Sequence, residues 1–357
     1  MDLQRYNTFR VRAQAPSIRV IHSVEEANSA LHQLGAPPYV LGEGSNILLV
    51  DDLDRPVLIN RIKGIRVVNE QDNTVDIEIG AGQSWHAFVQ WAVEQGWGGV
   101  ENLALIPGTA GAAPIQNIGA YGREIADVLL RVSGLYFNGR RWEWLQLDRH
   151  QCRFGYRTSI FKQELRENFI VCGITLRLTR HHHDLRVSYW SLKKWLEQRD
   201  IPNPNVQTIF RAVVDIRRQR LPDPEVLPNA GSFFKNVFVT EEQFQRLKGQ
   251  YEDLPVFAQG GMYKVPSGWL IEKCGWRGKR LNDVGTYARQ ALILVNYGTP
   301  NGRDIYHLAG RIMRDVYDRF GIVLEPEVQI WPHRYRDNLY REYAIPLPAH
   351  RARENQL

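Results

Sequence analysis

Apolar residues recur along this chain with two different periods, one typical of strands and one typical of helices. Val75, Ile77 and Ile79 alternate with acidic residues, which predicts a strand with one buried face. Residues 85–92 and 304–320 instead repeat apolar side chains at helical spacing, which predicts two amphipathic helices. No internal repeat or low-complexity tract interrupts these patterns. The mixture of periods predicts an α+β protein.

Capping and turn residues predict the ends of several elements. Helix starts are predicted at Ser23 with Glu26, at Ser84, at Thr240 with Gln243 and at Ser267. Asn138 and Gly139 form a dipeptide typical of tight hairpins, so the strands on either side should pair. Residues 169–178 alternate as a further strand, and Gly321 is expected to end the helix that begins near Asp304.

The clearest domain boundary is the Pro-Asp-Pro turn at residues 222–224. Proline has no backbone N–H and disfavours helical backbone before it, so this turn ends the helical connector predicted between Tyr189 and Arg220. A chain of 357 residues is long for one domain and is typical of two or three. The polar, Arg-rich tail from Arg334 is predicted to be loosely ordered.

The net charge of +6 reflects scattered arginines, without the basic run that is typical of a nucleic-acid-binding tail. An anionic small molecule explains this balance as well as nucleic acid does. Cys152, Cys172 and Cys274 are too widely spaced for a disulfide framework or a CxxC metal site, and residues 181–183 (His-His-His) lack further ligands at suitable spacing. No metal site is therefore expected. With no apolar leader and no run as long as a membrane span, the chain is expected to stay in the reducing cytoplasm.

Residues 106–122, IPGTAGAAPIQNIGAYG, form the most unusual segment, which we call the long loop. They include four glycines, four alanines and two prolines, and they carry no charge. Such small residues cannot build a core, but they let bare backbone N–H groups approach a phosphate or a flat ring. The side-chain amides of Gln116 and Asn117 could then bind the edge of a heterocycle. The alternative is an ordinary Gly/Ala-rich loop packed against a helix.

A second glycine-rich segment, LGEGSN at residues 41–46, lies between two short apolar runs, and we call it the short turn. A glycine turn between two strands can direct several amides at a pyrophosphate. Two such segments in one chain predict a long ligand, such as a dinucleotide, that is held at more than one point. Neither segment matches G-x-G-x-x-G, and the chain has no G-x-x-x-x-G-K-[ST] motif, which argues against a Rossmann fold and a P-loop.

Three further segments combine polar residues with glycine or proline: RFGYR at 153–157, NAGSFFKN at 229–236 and LEPEV at 324–328. Together with the short turn, the long loop, LPDP and GWLIEKCG, they occur in the order seen in the UDP-N-acetylenolpyruvoylglucosamine reductase (MurB) family of peptidoglycan synthesis. The resemblance covers residues 7 to about 330. The chain resembles the form of this family in which a tyrosine-bearing loop precedes the substrate domain.

The resemblance implies an α+β fold with an FAD-binding unit of the vanillyl-alcohol-oxidase (PCMH) type, made of two subdomains, and a separate α+β substrate domain. The implied boundaries are 1–66 with 328–357 for the first subdomain, 67–220 for the second, with the substrate loop and connector helix, and 221–327 for the substrate domain. It also implies non-covalently bound FAD, NADPH as co-substrate and a UDP-sugar as substrate. The protein would be a cytoplasmic monomer without a nucleic-acid partner or membrane insertion.

The resemblance also implies roles for individual residues. Arg157 and Glu327 would stabilise the enolate formed when a hydride adds to an enolpyruvyl ether, and Ser232 would donate the proton. A guanidinium suits this role because it is always charged and can meet a carboxylate through two donors. The residues implied for FAD binding are Gly42, Gly44, Ser45, Asn46, Ile106, Pro107, Gly108, Ala112, Ala113, Pro114, Ile115, Gln116, Asn117, Gly119, Ala120, Tyr121, Gly122 and Arg157. Those implied for the UDP-sugar are Tyr189, Arg217, Arg220, Asn236 and Gln290.

Two features depart from the family pattern. Ala112 and Ala113 stand where relatives often have serines, so two side-chain phosphate contacts are lost, and Arg220 stands where relatives often have a lysine. Three other functions stay open at this level: another non-covalent flavin oxidoreductase on the same fold, a nucleic-acid-binding protein, and a sugar-nucleotide-binding regulator without turnover. Colour distinguishes them in part, since a flavoprotein is yellow, whereas an RNA-binding protein is colourless and loses affinity with salt.

Overall fold

The computed structural model describes residues 1–34, 37–255 and 257–348. Its strands are β1 (Ile18–Ile21), β2 (Tyr39–Leu41), β3 (Ile47–Leu49), β4 (Val57–Asn60), β5 (Ile65–Glu70), β6 (Thr74–Gly80), β7 (Gly119–Ala120), β8 (Arg123–Glu124), β9 (Leu129–Phe137), β10 (Trp142–Asp148), β11 (Phe169–Thr179), β12 (Asn229–Ser232), β13 (Val237–Val239), β14 (Phe257–Gln259), β15 (Met262–Val265), β16 (Arg280–Leu281), β17 (Val284–Tyr287), β18 (Gln290–Asn296) and β19 (Gln329–Trp331). Its α-helices are α1 (Val24–Leu34), α2 (Trp85–Glu94), α3 (Trp190–Glu197), α4 (Val206–Arg220), α5 (Glu241–Gln250), α6 (Ser267–Lys273), α7 (Gly302–Phe320) and α8 (Arg334–Glu342). None of the described helices combines the length and the apolar content of a membrane span.

Packing divides the chain into two compact units, each built from segments that are distant in sequence. The first unit contains Met1 and residues 15–44 and 55–219. The second unit contains residues 2–14, 45–54 and the described part of 220–357. The three-part division inferred from the sequence stays a prediction, and residues 349–357 of its first part lie outside the described residues.

The first unit is built on a five-stranded antiparallel sheet in the order β10-β9-β11-β6-β5. The alternating residues of β6, Val75, Ile77 and Ile79, are fully buried in the core that also takes up the apolar faces of α2 and α4, as the sequence predicts. A second core joins α1 and the parallel sheet β1-β4-β2 to other side chains of the five-stranded sheet. Because neighbouring strand residues point to opposite faces, the two cores lie on the two sides of this sheet.

Strand β11 confirms the prediction for residues 169–178, but nearly all of its residues are buried rather than every second one. Ile170 and Cys172 belong to the core that contains α1, whereas Val171 and Ile174 belong to the core that contains α2. The register against β9 shifts between Val171 and Gly173. This bulge changes the alternation, since an extra residue moves the following side chains to the other face.

The second unit contains the four-stranded sheet β12-β18-β17-β16, the three-stranded sheet β13-β15-β14 and the parallel pair β19-β3. Helix α7 buries the predicted stripe of Ile305, Leu308, Ala309, Ile312 and Val316. It ends as predicted at Gly321, whose φ of 66° is the left-handed conformation that glycine adopts without strain. At its other end, a Cβ added to Gly302 would lie 1.7 Å from the Leu49 carbonyl oxygen, so only glycine allows α7 to approach β3 this closely.

The helical connector predicted between Tyr189 and Arg220 is confirmed and consists of two helices, α3 and α4, because Pro202 and Pro204 lie between them and cannot continue a helix. Other local predictions are wrong. Ser84 precedes α2 without accepting a capping hydrogen bond, and the Ser267 hydroxyl donates to the Lys235 carbonyl instead of capping α6. The tail from residue 334 begins with helix α8, which buries Leu339.

Other terminal signals behave as predicted. The Thr240 hydroxyl accepts from the Gln243 amide, and the Gln243 side chain accepts from the Thr240 amide, which completes a capping box at α5. Glu26 N donates to Ser23 Oγ at the start of α1. Strands β9 and β10 form the predicted hairpin, with Phe137 paired to Trp142 across a four-residue loop.

Asp51 links the start of α7 to α8 within the second unit. Its Oδ2 accepts hydrogen bonds from the Tyr335 hydroxyl at 2.8 Å and from Arg303 Nη2 at 2.7 Å. These donors, the Tyr335 hydroxyl first, lower the pKa of Asp51 from 3.8 to about 2. Because the folded-state pKa is the lower one, this stabilisation is present above the ordinary pKa and is lost as the pH falls through about 2.

We expect Asp51→Asn to lower the free energy of unfolding at neutral pH by about 1 kcal/mol, since solvent screens a partly exposed carboxylate. The difference in Tm between variant and wild type should begin to narrow as the pH is lowered below about 5 and should vanish only near pH 2, because the carboxylate of the unfolded chain is protonated first and that of the folded protein only near its pKa of about 2. Thermal unfolding followed by circular dichroism measures both. Asp72→Asn, in an exposed loop, is the control. A difference in Tm that stayed constant down to about pH 3 would contradict this role for Asp51.

Candidate active site

The long loop folds in the first unit as a series of turns against residues 81–83. Ala110 N donates to the Gln83 carbonyl and Gly111 N to the Ala81 carbonyl, both at 2.8 Å. A Cβ added to Gly111 would lie 2.5 Å from the Ala81 Cβ, so glycine is required for this close approach. The amides of residues 112, 113, 115, 117 and 118 donate to carbonyls of the loop itself. Most amides between residues 110 and 118 therefore hold the loop in shape, so fewer bare amides remain for a ligand than the sequence suggests.

The short turn lies directly against the long loop. Glu43 Oε2 accepts a hydrogen bond from Gly108 N at 3.0 Å, which joins residues 65 positions apart. A Cβ added to Gly42 would lie 2.4 Å from Thr109 Oγ1, and Gly44 has a φ of 65°. The two glycine-rich segments that the sequence assigns to one ligand thus meet within the first unit. The sequence does not predict the contact between Glu43 and Gly108, because nothing in a single sequence indicates which donor a carboxylate in a turn will bind.

The segment around Arg157 contacts the long loop through several hydrogen bonds. Ser159 Oγ donates to the Ile115 carbonyl at 2.6 Å, and Asn117 Nδ2 donates to the Gly155 carbonyl at 3.1 Å. Arg157 Nη2 donates to the Gly119 carbonyl at 2.7 Å. A Cβ added to Gly119 would lie 3.1 Å from Arg157 Nη1, so this glycine makes room for the guanidinium. The structure therefore brings Arg157 to the loop with which the sequence associates it.

Asn117 is used differently from the prediction. Its Nδ2 donates to Glu124 Oε2 at 2.7 Å as well as to the Gly155 carbonyl, and its Oδ1 accepts from Ala126 N at 3.2 Å. The residue is buried and has a φ of 47°. Its side chain therefore holds protein segments together and is not presented to the edge of a heterocycle.

The other predicted cofactor residues of the long loop differ in exposure. Pro107, Ala112 and Gly122 are exposed, and Gly108, Ala113 and Pro114 are buried. The half-buried residues are Ile106, Ile115, Gln116, Gly119, Ala120 and Tyr121. Of these, Gly119 and Ala120 are small, so they offer surface to a ligand without closing the space.

Arg217, Tyr121 and Tyr189 lie together at the edge of the long loop. Arg217 Nε donates to the Leu105 carbonyl at 3.2 Å, and the rings of Tyr121 and Tyr189 meet edge to face with centroids 5.3 Å apart. Burial lowers the pKa of Arg217, the Tyr121 hydroxyl opposes this shift, and the charge of Arg157 adds to it. The positive charge of Arg157 therefore disfavours the charged form of Arg217, and a bound anion would offset this effect.

Two polar residues that the sequence did not single out support this edge. Asn102, which is fully buried, donates from Nδ2 to the Tyr121 carbonyl at 3.0 Å and to the Arg186 carbonyl at 2.8 Å. His86 Nδ1 accepts from Leu105 N at 3.0 Å, and burial together with two nearby arginines lowers the pKa of His86. A polar residue inside an apolar run was the available signal for Asn102.

In the second unit, Ser232 and Glu327 lie on adjoining segments. Phe233 N donates to the Leu292 carbonyl at 2.8 Å, which holds the segment of Ser232 on β18. Glu327 N donates to the Phe233 carbonyl, also at 2.8 Å. Phe233 is completely buried, whereas Ser232 is exposed and Glu327 is half-buried. The buried ring thus anchors the backbone while the polar groups on either side stay accessible.

The predicted sugar-nucleotide residues of the second unit gather mainly around α6. Asn236 Oδ1 accepts from Ser267 N at 3.1 Å, and Gln290 Oε1 would lie 2.9 Å from a Cβ added to Gly268. Ser45 and Asn46 also belong to the second unit, where the Asn46 carbonyl accepts a hydrogen bond from Gln329 N at 3.0 Å. Arg220 is exposed at the end of α4.

Each unit therefore offers its own chemistry. The first unit has a glycine-lined pair of turns, small side chains and two guanidiniums, which suit a long anionic ligand. The second unit has the Ser232 hydroxyl, the Glu327 carboxyl group and the side-chain amides of Asn236 and Gln290. Within the described ranges, no group of three or more His, Cys, Asp or Glu residues is placed to hold a metal ion.

Comparison with known proteins gives two matching family models. Residues 19–143 match an FAD binding domain, and residues 223–331 match the C-terminal domain of UDP-N-acetylenolpyruvoylglucosamine reductase. The reductase of Flavobacterium johnsoniae is 38% identical over 331 residues, which cover 92% of this chain and 98% of the relative. That of Pseudomonas aeruginosa is 43% identical over 334 residues, covering 92% and 97%.

A solved structure supports the fold. The crystal structure of UDP-N-acetylenolpyruvylglucosamine reductase from Thermus caldophilus matches with a TM-score of 0.64 at 23% identity, covering 93% of this chain and 98% of that one. The predicted fold class, an α+β FAD-binding unit of the vanillyl-alcohol-oxidase type with a separate substrate domain, is confirmed by this match and by the two family models. The chain therefore belongs to the UDP-N-acetylenolpyruvoylglucosamine reductase family, a family of oxidoreductases with an FAD-binding domain.

Proposed function

We propose that this protein reduces the enolpyruvyl ether of UDP-N-acetylglucosamine to UDP-N-acetylmuramate in peptidoglycan precursor synthesis, using NADPH and non-covalently bound FAD. The observation that carries the proposal is the cluster in the first unit. There, Arg157 bonds to the long loop at Gly119, and Arg217 bonds to the residue that precedes the loop. A site with two guanidiniums beside a glycine-lined loop favours a ligand that combines negative charge with a flat ring.

The residues present fit FAD. The tight contacts of Gly42 with Thr109 and of Gly111 with Ala81 hold the buried part of the loop in place, and the exposed Ala112 beside it carries only a methyl group. FAD would be held by the short turn, by the long loop outside the Asn117 side chain, and by Arg157. When bound, FAD supplies hydride transfer, from NADPH to the enolpyruvyl double bond. Ala112 and Ala113 offer no side-chain donor, so the phosphates would depend on backbone amides.

Arg157 and Glu327 are proposed to stabilise the charge that develops during reduction. Hydride addition to the methylene carbon leaves negative charge on the adjacent carbon and its carboxylate. The Arg157 guanidinium can bind that carboxylate through two donors, and it remains charged at all relevant pH values. Glu327 would contribute by donating a proton in a hydrogen bond or by ordering a water molecule.

Ser232 is proposed to complete the reaction by giving its hydroxyl proton to the carbon next to the carboxylate. Serine is a weak acid, but a carbanion is a strong base, so position matters more than acidity. The exposure of Ser232 beside the buried Phe233 anchor is consistent with an accessible hydroxyl on a rigid backbone.

The UDP-sugar is proposed to be bound by Tyr189, Arg217, Arg220, Asn236 and Gln290, the residues that the resemblance to the family assigns to it. Asn236 would contribute its NH₂ group, since its Oδ1 already accepts from the start of α6. Tyr189, 50% exposed against Tyr121, would cover the substrate with its ring. On the basis of family membership, we further propose a cytoplasmic monomer with the three-part domain division given above.

The decisive assay follows NADPH absorbance with the purified, yellow protein. NADPH oxidation should depend on the enolpyruvyl UDP-sugar, and mass spectrometry should find a product heavier by two hydrogens. UDP-N-acetylglucosamine, which lacks the double bond, is the matched control and should not support turnover. A colourless protein, or oxidation of NADPH at the same rate without the enolpyruvyl sugar, would refute the proposal.

A further inference from the structure

Lys235 and Glu325 form an ion pair inside the second unit. Lys235 Nζ lies 2.8 Å from Glu325 Oε1, and the two side chains are only 16% and 15% exposed. A largely buried ion pair contributes little net stability, because the Coulomb attraction mainly offsets the cost of removing both charges from water. Its clearest physical effect is to restrict which residues can lie opposite each other.

The backbone between these two segments is held by a short ladder. Phe234 and Pro326 form a single antiparallel bridge, flanked by hydrogen bonds from Lys235 N to the Glu325 carbonyl at 2.9 Å and from Glu327 N to the Phe233 carbonyl. One bridge specifies register weakly. A slip of one residue would turn the side chain of Glu327 to the opposite face.

The segment of Lys235 is fixed independently of this ladder. Phe233 N bonds to β18, and the Lys235 carbonyl accepts from the Ser267 hydroxyl at the start of α6. The ion pair therefore connects a fixed segment, which carries Ser232, to the segment that carries Glu327.

We infer that Lys235 and Glu325 are a positioning pair: their ion pair sets the register between the two segments and so orients Glu327 relative to Ser232. The inference rests on the proposed function, because it matters for catalysis only if Ser232 and Glu327 act in the reaction. Neither member of the pair is assigned contact with substrate or flavin.

The test separates the two half-reactions by stopped-flow spectroscopy on the flavin-loaded protein. Lys235→Met and Glu325→Gln should each slow flavin reoxidation by the enolpyruvyl sugar about 10–100-fold, the usual cost of displacing a reacting group by about 1 Å. Flavin reduction by NADPH should stay within about twofold, because it does not use Ser232 or Glu327. Lys235→Arg, which keeps the charge, should restore most of the rate.

Coupling and stability complete the test. The double variant should be no slower than the slower single variant, since both changes remove the same interaction. If the neutral variants fold poorly, Glu325→Asp replaces them. Aspartate keeps the negative charge but is one methylene shorter, so its carboxylate lies farther from Lys235, and reoxidation should slow about tenfold. Tm is measured for every variant.

Glu167→Gln is the matched control. It removes the 3.1 Å ion pair with Arg55 in the first unit, and it should leave both half-reactions unchanged. Unchanged reoxidation in Lys235→Met, or equal slowing of both half-reactions, would overturn the inference. If Ser232→Ala and Glu327→Gln themselves left reoxidation unchanged, the roles proposed for these two residues would fail; if the wild-type protein did not oxidise NADPH in response to the enolpyruvyl sugar, the proposed function would fail, so the failures are distinguishable.

Discussion

Ser232→Ala is expected to slow reoxidation of the reduced flavin by the enolpyruvyl sugar by about 10²–10⁴-fold, the usual contribution of a positioned proton donor. Reduction of the flavin by NADPH should be unaffected, because that step needs no proton from this side chain. Stopped-flow absorbance of the flavin measures the two steps separately. The substitution removes only a hydroxyl from an exposed position, so the fold should be retained.

Ser29→Ala, on an exposed position of α1, is the control for loss of a hydroxyl as such. It should alter neither half-reaction. Equal slowing of both half-reactions in Ser232→Ala would assign Ser232 a structural role, and wild-type reoxidation would remove it from the mechanism. Reoxidation in deuterated solvent adds a further check. A solvent isotope effect is expected only if transfer of the serine proton limits the rate.

The second large effect is expected for Arg157→Lys, which should reduce the rate of substrate reduction by about 10²–10³-fold, as for loss of an oxyanion donor. Lysine keeps the charge but has no planar fork, so it cannot meet a substrate carboxylate through two parallel donors while another N–H binds the Gly119 carbonyl. The measurements are kcat and the flavin content per protein, since Arg157 also contacts the long loop.

Arg153→Lys is a close control. Arg153 lies four residues earlier in the same segment, also has a positive φ, and forms only an exposed ion pair with Glu164. Such pairs contribute little, so its kcat and flavin content should match the wild type. If Arg157→Lys retained near-wild-type turnover with full flavin content, Arg157 would have no role in charge stabilisation.

Local structure could be predicted where short-range physics dominates. The alternation in β6, the capping box at Thr240, the Asn138–Gly139 hairpin and the glycine end of α7 all depend on neighbouring residues. The errors arise where tertiary contacts compete. Ser267 has the right position to cap α6, but its hydroxyl donates to the Lys235 carbonyl, which no local pattern indicates.

The candidate site shows the same division. Its two glycine-rich segments and Arg157 are recognisable because small residues in such numbers have little use in a core, and their motif order resembles one family. Neither Glu43 at Gly108 nor Asn102 at Tyr121 was identified, since each contact joins residues that are distant in sequence. The sequence does not indicate that the Asn117 side-chain amide binds protein groups, because its acceptors, Glu124 and the Gly155 carbonyl, lie in two other segments.

By itself, the sequence determined the α+β pattern, the family, and which residue types are available for binding anions and moving a proton. Only the tertiary structure decided which loop amides are already used, that Arg157 bonds to Gly119 and Arg217 to Leu105, and that Lys235 faces Glu325. The physical reason is that spacing along a chain controls periodicity and capping. Hydrogen-bond partners, desolvation and the repulsion between charges depend instead on distances that exist only once the chain has folded.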